Sequence, residues 1–144
     1  MTQSIHVMLV EDNPADADLT RELLASGKLQ MTFTLAHDGV HACELLRAGG
    51  VHGSPLLPDL ILLDLNLPRM SGREVLAELK KDSLLKRIPV VMLTSSDAER
   101  DVAESYDLGA NCYVTKPLDL NGFHAVVHAV ENFWFSIVRL PPKS

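Results

Sequence analysis

Five short apolar runs recur along the chain with amphipathic segments between them: Ile5–Val10, Met31–Ala36, Leu60–Leu63, 90–93 and 112–114. Three of them (HVMLV, LILL and VVML) show no polar alternation. Both of their faces are therefore expected to be buried, as in a parallel sheet covered by helices. The run at 31–36 does alternate (Met, Thr, Phe, Thr, Leu), which suits a strand nearer an edge. The intervening segments carry helix punctuation. Asn13-Pro14 predicts an N-cap with proline in the first turn, and the helix then presents Ala17, Leu19, Leu23 and Leu24 before stopping near Gly27. Asp38 predicts the cap of a second helix through Leu45 and Leu46 that ends at Gly49-Gly50. Ser71 with Glu74, and Ser96 with Glu99, have capping-box spacing. A last helix is expected from near Asp119 through Val126, Val127, Val130 and Trp134 toward Ile137. Five strand-then-helix units predict an α/β fold: a doubly wound, five-stranded parallel sheet with five helices. Right-handed crossovers leave only a few strand orders.

The chain has 144 residues, enough for one core, and no repeat or linker divides it, so residues 1–144 are expected to form a single domain. A net charge of −6 and the absence of any Lys/Arg cluster argue against a nucleic-acid-binding face. No apolar run approaches the ~20 residues needed to cross a bilayer, and residues 1–6 lack the charged start and apolar stretch of a secretory signal. Cys43 and Cys112 lie in unrelated surroundings and suit two free thiols in a reducing cytoplasm.

Ligands of such sheets bind at the carboxyl ends of the strands, beside the switch point in strand order. The residues expected there are Glu11 and Asp12 after the first strand, Asp64 after the third, Thr94 at the fourth and Lys116-Pro117 after the fifth. Three carboxylates at one sheet end repel one another unless a cation compensates. A hard divalent ion that also takes phosphate oxygens, Mg²⁺ above all, suits that donor set. Asp64 is then placed as a nucleophile for an aspartyl-phosphate, with Lys116 and the Thr94 hydroxyl covering further phosphoryl oxygens. Each residue alone has a plainer account: a helix cap for Asp12 or Asp64, a structural threonine, a surface lysine. Their joint placement at carboxyl ends carries the reading. Asp38 is a plain cap and stays outside the site.

VMLVEDNPAD, LILLDLNLPRMSG, IPVVMLTSS and LGANCYVTKPLD resemble the defining stretches of bacterial two-component response-regulator receiver domains, over about residues 5 to 135. The resemblance implies the flavodoxin-like strand order 2-1-3-4-5. It implies Asp64 as phosphoacceptor and metal ligand, Asp12 as a direct ligand, Glu11 acting through water, and the backbone carbonyl of Asn66 as a further ligand of Mg²⁺ or Mn²⁺. Thr94 would be the switch hydroxyl and Tyr113 the switch aromatic, moving inward on phosphorylation. Lys116 would bind phosphate, and the Lys116-Pro117 peptide would be cis. The partner implied is a sensor histidine kinase.

Four features stand apart. The stretch 48–59, AGGVHGSPLLPD, is long and suits a surface insertion. His37/His41 and His124/His128 have i,i+4 spacing but no recognisable acidic or cysteine companion, so surface or packing histidines are expected. The ending ENFWFSIVRLPPKS, about 132–144, crowds Phe133, Trp134, Phe135, Ile137, Val138 and Leu140, more than one helix face can bury. With ESYDLGAN it resembles the single-domain response regulators of bacterial phytochrome histidine kinases, which implies a homodimer through these residues. The function expected is therefore a phosphoacceptor signalling by protein contacts, not an enzyme. The rivals are a phosphorylation-independent interaction module and an aspartyl-phosphate hydrolase, the latter disfavoured because Asn66 stands where an acid/base carboxylate would be needed.

Overall fold

The structure is a computed structural model that describes residues 5–27, 29–50 and 57–142. Strands β1 (Ile5–Val10), β2 (Met31–Ala36), β3 (Leu60–Leu63), β4 (Val90–Thr94) and β5 (Cys112–Thr115) alternate with helices α1 (Pro14–Ala25), α2 (Gly39–Gly50), α3 (Gly72–Lys81), α4 (Glu99–Asp107) and α5 (Leu120–Asn132). A 3₁₀ turn, Leu85–Arg87, precedes β4, and a π-helical turn, Phe133–Ile137, follows α5. The sheet is wholly parallel, in the order β2-β1-β3-β4-β5.

Alternate strand residues feed two cores. Met8, Val10, Ile61, Leu63, Val90 and Met92 meet Ala42, Cys43 and Leu46 of α2 and Val75, Leu76 and Leu79 of α3. Val7, Leu9, Leu60, Leu62, Val91 and Leu93 face the other way, onto Leu24 of α1 and Phe123, Val127 and Val130 of α5. This two-faced burial is why the central strands show no polar alternation, while β2 at the edge is mostly half-buried.

The caps follow the chain's punctuation with one exception. The Asn13 side chain accepts from Ala15 and Asp16 N–H, Ser71 and Glu74 form a capping box, and the Asp119 side chain accepts from Gly122 N–H. Asp38 accepts from His41 N–H at the start of α2 and pairs with Arg69, a non-glycine residue held at φ 64°. The expected Ser96/Glu99 box does not form. α4 starts after Ala98 with no side-chain cap; the Ser96 hydroxyl accepts from Ala98 N–H at 3.4 Å and donates to Asp101. The middle of the 48–59 stretch, residues 51–56, lies outside the described residues.

The C-terminal aromatics divide. Trp134 is 8% exposed and belongs to the α1/α5 core, so it is removed from the expected partner surface. Phe133 and Ile137 remain open at 49% and 64%, while Phe135, Val138 and Leu140 are half-buried against the same core. Trp134→Ala is accordingly expected to cost about 3–5 kcal/mol of stability. Urea unfolding at several protein concentrations checks this: a core residue gives the same loss throughout, whereas an interface residue gives a concentration-dependent one.

Candidate functional site

Sheet register sets the site. Val10 of β1 pairs with Leu63 of β3, so Glu11 and Asp64 leave adjacent strands level, and Asp64 N–H donates to the Val10 carbonyl at 3.0 Å. Thr94 of β4 pairs with Thr115 of β5, and Lys116 N–H donates to the Thr94 carbonyl at 2.7 Å. The sequence reversal between β1 and β3 makes this the crevice of the fold. Behind it, α3 packs onto the corner carrying Asp64. Gly72 N–H donates to the Leu65 carbonyl at 2.8 Å, and a Cβ at Gly72 would collide with the Asp64 carbonyl.

Glu11, Asp12 and Asp64 each offer a carboxylate oxygen within 4.8 Å of the others, a spacing that can hold a metal ion. Glu11 and Asp64 are buried and Asp12 is exposed. The buried Lys116 ammonium donates to Glu11, and its Nζ lies 3.3 Å from Asp64 Oδ2 and 3.2 Å from Asp16 Oδ2. Burial pushes the Glu11 carboxyl up to about 7; the Asp64 charge pushes the same way, and the Lys116 bond pulls against both. Burial would lower the Lys116 pKa, but the Glu11 bond and the charges of Asp64, Glu11 and Asp16 outweigh it and raise the pKa. The ammonium therefore stays charged, while one acid beside it is poised near neutrality. An all-oxygen donor set with surplus negative charge is matched to a hard divalent cation.

Thr94 is fully buried, and its hydroxyl has no hydrogen-bond partner among the described residues. Leaving such a group unmet costs about 1–3 kcal/mol, which a ligand oxygen would recover. Asn66, exposed, folds its N–H back toward Asp64 Oδ1 at 3.4 Å. The fold thus assembles Glu11, Asp12, Asp64 and Lys116 as expected, with Thr94 and Asn66 on the strands and loop that carry them.

Three features were not anticipated. Asp16, in the first turn of α1, shares Lys116. In the sequence it looks like an ordinary acid near a helix N-terminus, and only the placement of α1 over the sheet end reveals the contact. Tyr113 is already turned to the loop after β4: its hydroxyl donates to the Ser96 carbonyl at 2.8 Å, so the inward move expected on phosphorylation starts from an engaged ring. Ser96 in turn donates to Asp101, which pairs with Arg73, and Arg73 also lies 2.8 Å from Glu104. This chain of contacts ties β5, the β4–α4 loop, α4 and α3 together. Finally, no cis peptide occurs among the described residues, so Lys116-Pro117 is trans. Trans is the lower-energy isomer of an X–Pro bond, and with it Lys116 already reaches all three carboxylates.

The sequence profile of the response regulator receiver domain matches residues 7–128. The response regulator Rcp1 of Synechocystis sp. (strain ATCC 27184 / PCC 6803 / Kazusa) is 45% identical over 135 residues, covering 94% of this chain and 92% of that protein. Its Mn²⁺-bound crystal structure superposes with a TM-score of 0.89 over 96% of this chain and 99% of that one. The phosphorylated cyanobacterial phytochrome response regulator RcpA gives 0.91 at 46% identity over 97% and 100%. The bacteriophytochrome response regulator AtBRR gives 0.70 at 40% over 95% and 99%. The chain belongs to the response regulator receiver domain family.

Proposed function

We propose that this chain is a receiver that accepts a phosphoryl group on Asp64 from a sensor histidine kinase and signals in the cytoplasm through protein contacts. The observation that carries the reading is the buried Asp64 carboxylate, level with Glu11 and Asp12 and 3.3 Å from the Lys116 ammonium. In this reading Asp12, Asp64 and the Asn66 carbonyl hold Mg²⁺ or Mn²⁺, with Glu11 acting through water. The bound cation offsets charge on the transferring group. Lys116 and the orphaned Thr94 hydroxyl take phosphoryl oxygens, and Tyr113 and Ser96 carry the change outward. The chain assists its own phosphorylation without being a turnover enzyme; Asn66, beside Asp64, supplies no acid/base carboxylate for hydrolysis. Similarity to phytochrome response regulators favours a phytochrome-type kinase. The exposed Phe133 and Ile137, flanked by half-buried Phe135, Val138 and Leu140, favour a homodimer through the last helix and tail. No described helix is long and apolar enough to cross a membrane.

Incubation with acetyl phosphate and Mg²⁺, followed by intact-mass measurement, is expected to show one added phosphoryl group that EDTA or Asp64→Asn abolishes. An unchanged mass would favour the phosphorylation-independent module. Mg²⁺ affinity has a definite pH dependence. Glu11 is protonated below about 7 in the metal-free protein, so cation binding competes with that proton and weakens as pH falls. The affinity is expected to drop between about pH 8 and about pH 6, by no more than about tenfold per pH unit for one proton. Calorimetric titration checks this, and Glu11→Gln should flatten the slope. For the dimer, Phe133→Asp with Ile137→Asp is expected to give a folded monomer in sedimentation velocity; a persistent dimer would place the interface elsewhere.

A further inference from the structure

Outside the strand-end site, α5 carries two histidines and a glutamate on one side, although among the described residues only Glu11, Asp12 and Asp64 have ligand atoms that already converge within 4.8 Å. Its core stripe is Phe123, Val127, Val130 and Trp134. His124 and His128 sit beside that stripe, four residues apart on one face, with ring centroids 5.0 Å apart. The companion missing from the sequence pattern is Glu131, one turn further on, whose Oε1 lies 3.8 Å from His128 Nδ1. Its side chain is only 14% exposed, and its Oε2 is buried with no hydrogen-bond partner among the described residues. The carboxylate lies against the end of α1, where a Cβ at Gly27 would collide with it. Gly27 thus leaves the room that this acid occupies.

We infer that His124, His128 and Glu131 form a binding site for a borderline transition-metal ion such as Zn²⁺, separate from the acidic cluster at the sheet end. Two imidazoles at i,i+4 on a helix plus one carboxylate is an N₂O donor set of the kind that binds Zn²⁺, with water free to complete the tetrahedron. Mg²⁺ prefers oxygen ligands and is a poor match. Both histidines are exposed, so rotation of their rings closes the set without disturbing the core. The face is also distinct from the one bearing Phe133: at helical spacing His124, His128 and Glu131 fall on one side of the core stripe, and Val126, Ala129 and Phe133 on the other.

The test is calorimetric titration of the untagged full chain with Zn²⁺, in excess Mg²⁺ to fill the acidic cluster. One Zn²⁺ per chain is expected. Its affinity should fall by at least roughly tenfold in His124→Ala and in His128→Ala, more than losing a mere supporting partner typically costs at the low end. It should fall measurably in the isosteric Glu131→Gln, with folding confirmed by circular dichroism and Asp64 labelling unchanged. Zn²⁺ should also raise the thermal midpoint of the wild type but not of His128→Ala. No Zn²⁺ uptake, uptake that survives either histidine substitution, or uptake that follows His37→Ala/His41→Ala instead overturns the site. Indifference to Glu131→Gln overturns the three-residue assignment.

Discussion

Lys116 brings a single positive charge into a crevice where Glu11, Asp64 and Asp16 all contact it and Asp12 stands at the rim. Burial penalises the Glu11 carboxylate more than the Lys116 bond repays, and the Asp64 charge adds to the penalty, so its carboxyl is pushed up to about 7. Phosphorylation would replace the single charge of the Asp64 carboxylate with the roughly two of an acyl phosphate, one more than an ammonium already shared among three acids can absorb. A cation bound by these acids would supply the remaining compensation, and without one Lys116 alone faces Glu11, Asp64 and Asp16.

That balance depends on backbone register. Glu11 and Asp64 are level because Val10 pairs with Leu63, and Lys116 arrives because Thr115 pairs with Thr94. Those pairings are secured by strands buried on both faces, where a slip of one residue would exchange the two cores. This is also why so much was legible beforehand. Uninterrupted apolar runs identify central strands, capping residues identify helix starts, and in a parallel α/β sheet topology alone puts the residues after the strands beside the switch point at the ligand-binding end.

What escaped the sequence depends on distances between elements rather than spacing within one. Asp16 looks like a helix-start acid until α1 is seen to cover the sheet end. Ser96 has the spacing of a cap, but in the fold its hydroxyl donates to Asp101, which in turn pairs with Arg73 of α3. The room for the Glu131 carboxylate is made by Gly27, just after α1, which no spacing within α5 reveals. Trp134 shared a run of apolar residues with Phe133 and Ile137, and hydrophobicity alone could not say which faced inward.

The π-helical turn resolves that last ambiguity in physical terms. A turn wider than an α-helical one changes which residues follow the core stripe. Val138 N–H donates back to the Phe133 carbonyl at 2.9 Å, five residues earlier, and closes the turn. Trp134 continues the inward line of Phe123, Val127 and Val130, and Val138 returns to the core beyond it. Phe133 and Ile137 are left outside, one widened turn apart. An α-helix continued through this segment would place the apolar residues differently around its axis. The widened turn instead lets one short segment both seal its own core and present an apolar edge. Its anchor is the same α5 that packs over β1, β3 and β4, the strands whose ends carry Glu11, Asp64 and Thr94. One continuous core thus joins α5 to the strands that carry those ends, with Phe133 and Ile137 at its outer margin.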